Sequence, residues 1–65
     1  MKKGAFIIML GFVLKAAGVD LYQCYLNDEN DEEVILVFKN GYVKKVNIAC
    51  DSRLAIIQDV VKALE

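Results

Sequence analysis

The stretch Glu33-Val-Ile-Leu-Val-Phe-Lys-Asn-Gly-Tyr-Val-Lys-Lys-Val-Asn-Ile-Ala-Cys50 decides the fold. Asn40-Gly41 separates two runs that are rich in β-branched and aromatic residues, and this pattern is a strong signal for a β-hairpin. A two-residue turn of type I′ needs a positive φ at both central positions, which Asn and Gly tolerate best. The sequence therefore predicts antiparallel strands over 33–39 and 42–50.

A two-residue turn also predicts the register, because Lys39 would pair with Tyr42 and each further pair would follow in order. One face of the hairpin would then carry Ile35, Val37, Val46, Ile48 and Cys50. The other face would carry Val34, Leu36, Phe38 and Val43, diluted by Lys45 and Asn47.

A third strand is predicted before the hairpin. Leu21-Tyr-Gln-Cys-Tyr-Leu26 is aromatic and apolar without a helical stripe, and a polar loop over 27–32 joins it to the hairpin. Strand 33–39 is apolar on both faces, which is typical of a central strand. Strand 42–50 has one mixed face and two adjacent lysines that discourage pairing with another sheet, so we predict it at an edge.

The first eighteen residues permit three interpretations. A pair of lysines, an apolar run and a small-residue site at 16–18 fit a signal peptide. A membrane span is not expected, because the apolar run before Lys15 would rise only ~16 Å against a hydrocarbon core of ~30 Å. A buried helix over about 4–17 accounts for more residues. Lys15 would lie in its last turn, and Gly18 would end it in a left-handed conformation.

The C-terminal segment is predicted to be an amphipathic helix over about 53–64, with Asp51-Ser52 as its N-cap. Its apolar stripe is expected at Leu54, Ile57, Val61 and Leu64, widened by Ile56 and Val60. The element order α-β-β-β-α then predicts a single α+β domain over 1–65. In this fold a three-stranded antiparallel meander carries two helices packed on one face.

The composition predicts more apolar surface than the core can hold. Hydrophobic residues make up 57% of the 65 residues, above the roughly 45–50% of an average soluble domain. A chain of this length buries only about 60% of its unfolded surface. Part of the surplus is therefore expected at an interface, most simply with a second copy of the chain.

Two surfaces are candidates for that interface. The first is the sheet face that the helices leave uncovered, and the second is the outer side of helix 4–17. The candidate interface residues are Val34, Leu36, Phe38, Val43, Phe6 and Met9.

Few residues offer chemistry. Without histidine, a Ser/His or Cys/His pair is impossible, and four dispersed glycines make no phosphate-binding loop. Cys24 and Cys50 lack C-x-x-C spacing, so two free thiols in a cytoplasmic protein are favoured over a bridge between them. Cys50 precedes a helix but is predicted to be an inert core thiol. We expect no catalytic residues, no cofactor and no metal.

Residues 27–33 form an acidic loop with five carboxylates. The loop opens like an EF-hand, but Glu33 stands where calcium loops require Gly and Lys39 where they require Glu. A solvated turn is the simplest interpretation. The alternative is contact with a basic protein, in which the carboxylates imitate nucleic-acid phosphate. The candidate contact residues are Asp28, Glu29, Asp31 and Glu32.

The element order and length also resemble those of the double-stranded-RNA-binding domain. That family places a Lys-rich cluster at the start of its last helix to grip phosphates. The corresponding stretch here is Asp51-Ser52-Arg53, in which one basic residue stands beside an acidic one. Because phosphate contacts supply most of the affinity for nucleic acid, and because the net charge is −1, we expect no direct nucleic-acid binding.

The sequence thus favours a small, non-enzymatic protein-binding domain that forms a dimer, such as an accessory or regulatory protein of a bacterium or mobile element. One alternative is an inhibitor that binds a nucleic-acid-handling protein through the acidic loop. The other is a secreted mini-domain, residues 19–65, released from a signal peptide and bridged by its two cysteines.

Overall fold

The structure is a computed structural model that describes residues 2–48 and 52–65. Its elements, in chain order, are α1 (Lys3–Ala16), β1 (Leu21–Leu26), β2 (Glu33–Phe38), β3 (Val43–Asn47) and α2 (Arg53–Ala63). The strands form one antiparallel sheet in the order β1-β2-β3. Both helices share one hydrophobic core with the same sheet face. The predicted α+β meander, with a central β2 and an edge β3, is confirmed.

The end of α1 follows the prediction from Gly18. This glycine has a φ of +93°, and its backbone N–H donates to the Lys15 carbonyl at 3.1 Å. The N–H of Val19 donates to the Leu14 carbonyl at 3.1 Å. These two bonds form a Schellman motif, which satisfies the last carbonyls of the helix and turns the chain towards β1.

Gly11 allows α1 to lie unusually close to β1. A Cβ atom at this position would be 2.8 Å from the Cβ of Cys24, a separation that real Cβ atoms essentially never show. Beside this contact, Ile7, Leu10 and Leu14 of α1 enter the core. The absent side chain at Gly11 therefore lets the neighbouring turns of α1 reach the sheet.

The hairpin loop is one residue longer than predicted, so the predicted type I′ turn and its register are wrong. Phe38 rather than Lys39 closes the ladder: its N–H donates to the Tyr42 carbonyl at 2.8 Å, and its carbonyl accepts from Gly41 at 2.9 Å. Gly41 has a φ of +90°, and the side chain of Asn40 accepts from the Tyr42 N–H at 2.9 Å. Three-residue loops commonly use a left-handed glycine in this last position.

The longer loop shifts the register by one residue and exchanges the faces of β2 relative to β3. Val34 now pairs with Val46 and Leu36 with Lys44. This register places Val46 of β3 on the same face as the even-numbered residues of β2, under the helices. The core contains Phe6, Ile7, Leu10, Leu14, Leu21, Cys24, Val34, Leu36, Val46, Ile48, Ile56 and Val60.

The start of α2 agrees with the prediction, but its buried stripe is rotated. The side chain of Ser52 accepts from the Ala55 N–H at 3.2 Å, which confirms the N-cap. Ile56 and Val60 are buried, whereas Leu54 is 64% exposed and Val61 is 41% exposed. The core-facing stripe is therefore centred on Ile56 and Val60, which the sequence predicted only at its margin.

Lys44 is a charged residue on the helix-covered face of β3, and the end of α2 accommodates its charge. Its ammonium donates to the Ala63 carbonyl, at the end of α2, at 2.7 Å. Its alkyl chain can then lie along apolar surface while its charge meets the negative end of the helix dipole. At the other end of α2, the Arg53 guanidinium lies 5.5 Å from the centre of the Phe6 ring in α1.

We predict that Gly11→Ala destabilises the protein, because α1 and β1 would have to separate. An overpacking loss of roughly 1–3 kcal/mol should exceed the gain in helix propensity of about 1 kcal/mol. Gly4→Ala is the matched control, since its added Cβ would meet Leu26 at an ordinary 4.0 Å. It should stabilise the fold by about 0.4–1 kcal/mol. Urea denaturation of both variants measures the difference, and equal stabilisation by both would refute the close-contact explanation.

Candidate interaction surface

The outer side of α1 carries a second apolar stripe. Ile8 is 49% exposed, Phe12 65% and Val13 56%. Their spacing of three and four residues continues along the whole helix, opposite the side that enters the core. The members of this outer stripe are Ala5, Ile8, Met9, Phe12, Val13 and Ala16, all of them exposed.

The predicted interface residues do not lie on one surface: Met9 is exposed, whereas three of the others lie in the core. Met9 is 42% exposed and belongs to the outer stripe. Val34 and Leu36, both 0% exposed, and Phe6 at 7% are core residues, so the prediction that they form a surface is wrong. Val34 and Leu36 are buried because the register shift turns them towards the helices. Phe6 is buried because it lies on the side of α1 that faces the core.

The remaining two predicted residues lie on opposite faces of the sheet. Phe38 packs partly against the core, and its ring centre lies 5.9 Å from that of Tyr42. Val43 is 50% exposed on the face that the helices leave open. On this open face Ile35 is buried between its cross-strand neighbours Tyr25 and Lys45, so the face is only partly apolar at its surface.

A groove of about 380 Å³ separates the outer stripe from β1. It runs between Ile8, Phe12 and Lys15 on the helix side and residues 22–25 on the strand side. A second groove of about 470 Å³ continues it towards the acidic loop, where Asp28 and Asp31 line its wall. Together the two grooves follow the free edge of β1 along most of its length.

Within residues 2–48 and 52–65, the edge of β1 that faces away from β2 presents unpaired backbone groups. The N–H of Asn27 donates to the Glu33 carbonyl of β2 at 2.9 Å. Because consecutive residues of an antiparallel strand point alternately to the two sides, Tyr25 bonds towards β2, whereas the N–H and carbonyl groups of Cys24 and Leu26 point outwards. The Tyr22 carbonyl also points outwards and accepts from the Lys15 ammonium at 3.3 Å.

The two edges of the sheet differ in how they are protected. β3 carries Lys44 and Lys45, and such lysines discourage edge-to-edge pairing. β1, with the sequence Leu-Tyr-Gln-Cys-Tyr-Leu, contains no charged residue and no proline. Its irregularity, a bulge between Leu21 and Gln23, lies at its first residues and leaves 23–26 regularly paired with β2. β1 is therefore the edge that is open to another strand.

The acidic loop is held by its own asparagines. The side chain of Asn27 accepts from the Glu29 N–H, and that of Asn30 accepts from the Glu32 N–H, both at 3.0 Å. The four candidate contact residues Asp28, Glu29, Asp31 and Glu32 are all exposed. In 2–48 and 52–65, no group of three His, Cys, Asp or Glu residues is placed to hold a metal ion.

Cys24 is a buried free thiol on the helix-covered face of β1. Burial raises the pKa of Cys24 to about 11, which opposes formation of the reactive thiolate. Cys24 forms no disulfide in the structure. Cys50 lies outside the residues that the structure describes, so its core position stays a prediction. None of the described helices is long and apolar enough to span a membrane.

Sequence reasoning missed the groove and the open β1 edge. The signals were present in the three- and four-residue spacing of the outer stripe and in the lack of charge in β1. Compared with protein-family models, curated proteins and solved structures, the chain matches none of them.

We predict that Cys24 contributes to stability in a pH-dependent way. Its thiol stays neutral in the folded protein up to about pH 11, whereas its ordinary pKa is 9.0. The contribution of the neutral Cys24 thiol to the free energy of unfolding is therefore complete below pH 9.0 and is lost as the pH rises towards about 11. In a Cys50→Ser background, urea denaturation of the Cys24 and Cys24→Ala proteins should show a stability difference that shrinks over this range. A difference that stays constant with pH would contradict the prediction.

Proposed function

We propose that this protein is a small, non-enzymatic interaction domain that self-associates through the outer stripe of α1. The observation that supports the proposal is the second apolar side of this helix, which extends over the length of the helix without a charged residue between Gly4 and Leu14. A helix that only covers a core ordinarily presents polar residues to water. Continuous exposed apolar patches of this kind mark interaction sites.

The position of the stripe also favours a partner surface over chance exposure. Phe12 and Ile8 line a groove beside an unprotected strand edge, so apolar side chains and backbone hydrogen-bonding groups face the same space. A partner can bury the apolar side chains and form hydrogen bonds with the backbone groups. An accessory or regulatory role, exercised by binding rather than by chemistry, is consistent with this arrangement.

The proposal places the protein in the cytoplasm, with free thiols. Cys24 is unbridged and buried. The secreted alternative, a domain of residues 19–65, would lose the core side chains that α1 supplies, among them Ile7, Leu10 and Leu14. The contribution of α1 to the core therefore favours a domain that keeps its first helix.

The wild-type chain should form a dimer at micromolar concentration, and Phe12→Gln should weaken it. Because both copies carry the substitution, it removes two aromatic rings from the interface, and each ring contributes about 1.5–3 kcal/mol. The dissociation constant should therefore rise by roughly 100-fold or more. Analytical ultracentrifugation over a concentration series measures the change.

Leu54→Gln is the matched control for this experiment. Leu54 is 64% exposed, against 65% for Phe12, and it also lies on a helix but outside the stripe. Its substitution should leave the dissociation constant unchanged. A monomeric wild-type chain, or equal weakening by both substitutions, would overturn the proposal.

A second candidate function uses the acidic loop to inhibit a nucleic-acid-handling protein. The favouring observation is that the side chains of Asn27 and Asn30 accept backbone N–H groups and order the loop without using the carboxylates of Asp28, Glu29, Asp31 and Glu32. Those carboxylates form no ion pair with any residue in the described part of the chain. An ordered, outward-facing set of negative charges can compete with phosphates for a basic surface.

Neutralising the loop tests this second function. The variant Asp28→Asn, Glu29→Gln, Asp31→Asn and Glu32→Gln should lose capture of a nucleic-acid-binding protein from cell extract. Its unfolding free energy should change by less than about 0.5 kcal/mol per site, because exposed substitutions have small effects. Capture by the wild type should also be displaced by the polyanion heparin. Equal capture by the variant would exclude the loop as the contact.

A further inference from the structure

The backbone of β1 offers four outward hydrogen-bonding groups that another strand can use. These are the N–H and carbonyl groups of Cys24 and of Leu26, while the neighbouring Tyr22 carbonyl is already bonded to Lys15. Two donors and two acceptors in alternating order match an antiparallel strand of the same kind. An identical β1 is therefore complementary to this edge.

We propose that the second copy docks on β1, edge to edge and antiparallel, with the two-fold axis at Tyr25. The two sheets then become one six-stranded sheet. This inference rests on the self-association proposed above and specifies its geometry. Cys24 of each copy exchanges both backbone hydrogen bonds with Leu26 of the other, and the two Tyr25 residues lie directly opposite each other.

The hydrogen-bond pattern selects this axis from its neighbours. A two-fold axis at Gln23 or at Cys24 would place Tyr22 opposite an outward-facing residue, so its carbonyl would have to leave the Lys15 ammonium. The axis at Tyr25 uses all four free groups of Cys24 and Leu26 and leaves that contact in place. In this register the four groups pair with one another, whereas an axis at Leu26 would place Cys24 opposite Asp28, beyond the end of β1.

Charge complementarity supports the same arrangement. In this antiparallel arrangement, the start of each β1 lies next to the end of the other β1, where the acidic loop begins. The Lys15 ammonium, which is bonded to the Tyr22 carbonyl, is then on the side of the partner's acidic loop, whose Asp28 is exposed. The symmetry repeats this pairing at the other end. A parallel arrangement would place Lys15 beside Lys15 and could not form a closed pair.

Apolar contacts are available on both sides of the junction. On the helix side, Ile8 and Phe12 of each copy line the groove that borders β1. On the open side, the two Tyr25 rings lie in contact beside Ile35. The edge pairing therefore buries the groove-facing part of the outer stripe.

A charge exchange at Tyr25 tests the axis. Tyr25→Lys or Tyr25→Glu alone puts two like charges directly opposite each other and removes an aromatic pair, so each variant should dimerise on the order of 30-fold more weakly. A mixture of the two should form heterodimers with close to wild-type affinity. Native mass spectrometry detects them when one variant is isotopically labelled, and circular dichroism confirms that each variant is folded.

Tyr42→Lys is the matched control, since Tyr42 is an exposed tyrosine next to β3, at the opposite edge of the sheet. It should leave dimerisation unchanged. Selective heterodimers between the Tyr25 variants, with no loss in Tyr42→Lys, support the edge pairing.

Two results would overturn the inference, and they differ in whether self-association through the outer stripe is also rejected. A wild-type dimer that Phe12→Gln weakens, but that the Tyr25 variants do not weaken or the mixture does not restore, rejects the edge pairing and retains self-association through the stripe. A wild-type chain that is monomeric from low micromolar to submillimolar concentration rejects both proposals.

Discussion

The contact between Gly11 and Cys24 sets how closely α1 lies on β1, and the core depends on that spacing. With no side chain at this point, the helix backbone approaches the strand and its neighbouring turns bring Ile7, Leu10 and Leu14 into the sheet. The same proximity leaves the opposite side of α1 facing water. One close contact therefore determines both what this helix buries and what it exposes.

The turn at Gly41 has a comparable influence on the other side of the core. Because one more residue enters the loop, Val34 and Leu36 face the helices together with Val46 of β3. Lys44 also lies on the covered face, where its ammonium donates to the Ala63 carbonyl at the end of α2. The length of this turn thus decides which side chains of two strands are available to a partner.

Much of this architecture could be predicted from local signals. Element order, the Gly18 helix end and the Ser52 cap each depend on a few adjacent residues, and the structure confirms them. The register could not be predicted, because β2 is apolar on both faces and Asn-Gly suits both loop lengths. The candidate surface inherited that error at Val34 and Leu36, whereas Met9 on α1 was placed correctly on the outside. The open β1 edge was not foreseen, although the uncharged sequence of this strand indicates it.

The unequal protection of the two sheet edges has a consequence for how large an assembly can become. A strand added to β1 meets uncharged backbone, but the far edge of any sheet so formed is again a β3 strand, with Lys45 exposed on it. Growth in that direction meets repulsion between like charges. Fibril-like extension is therefore disfavoured by the same chain that leaves one side open, and association is expected to terminate after a single step.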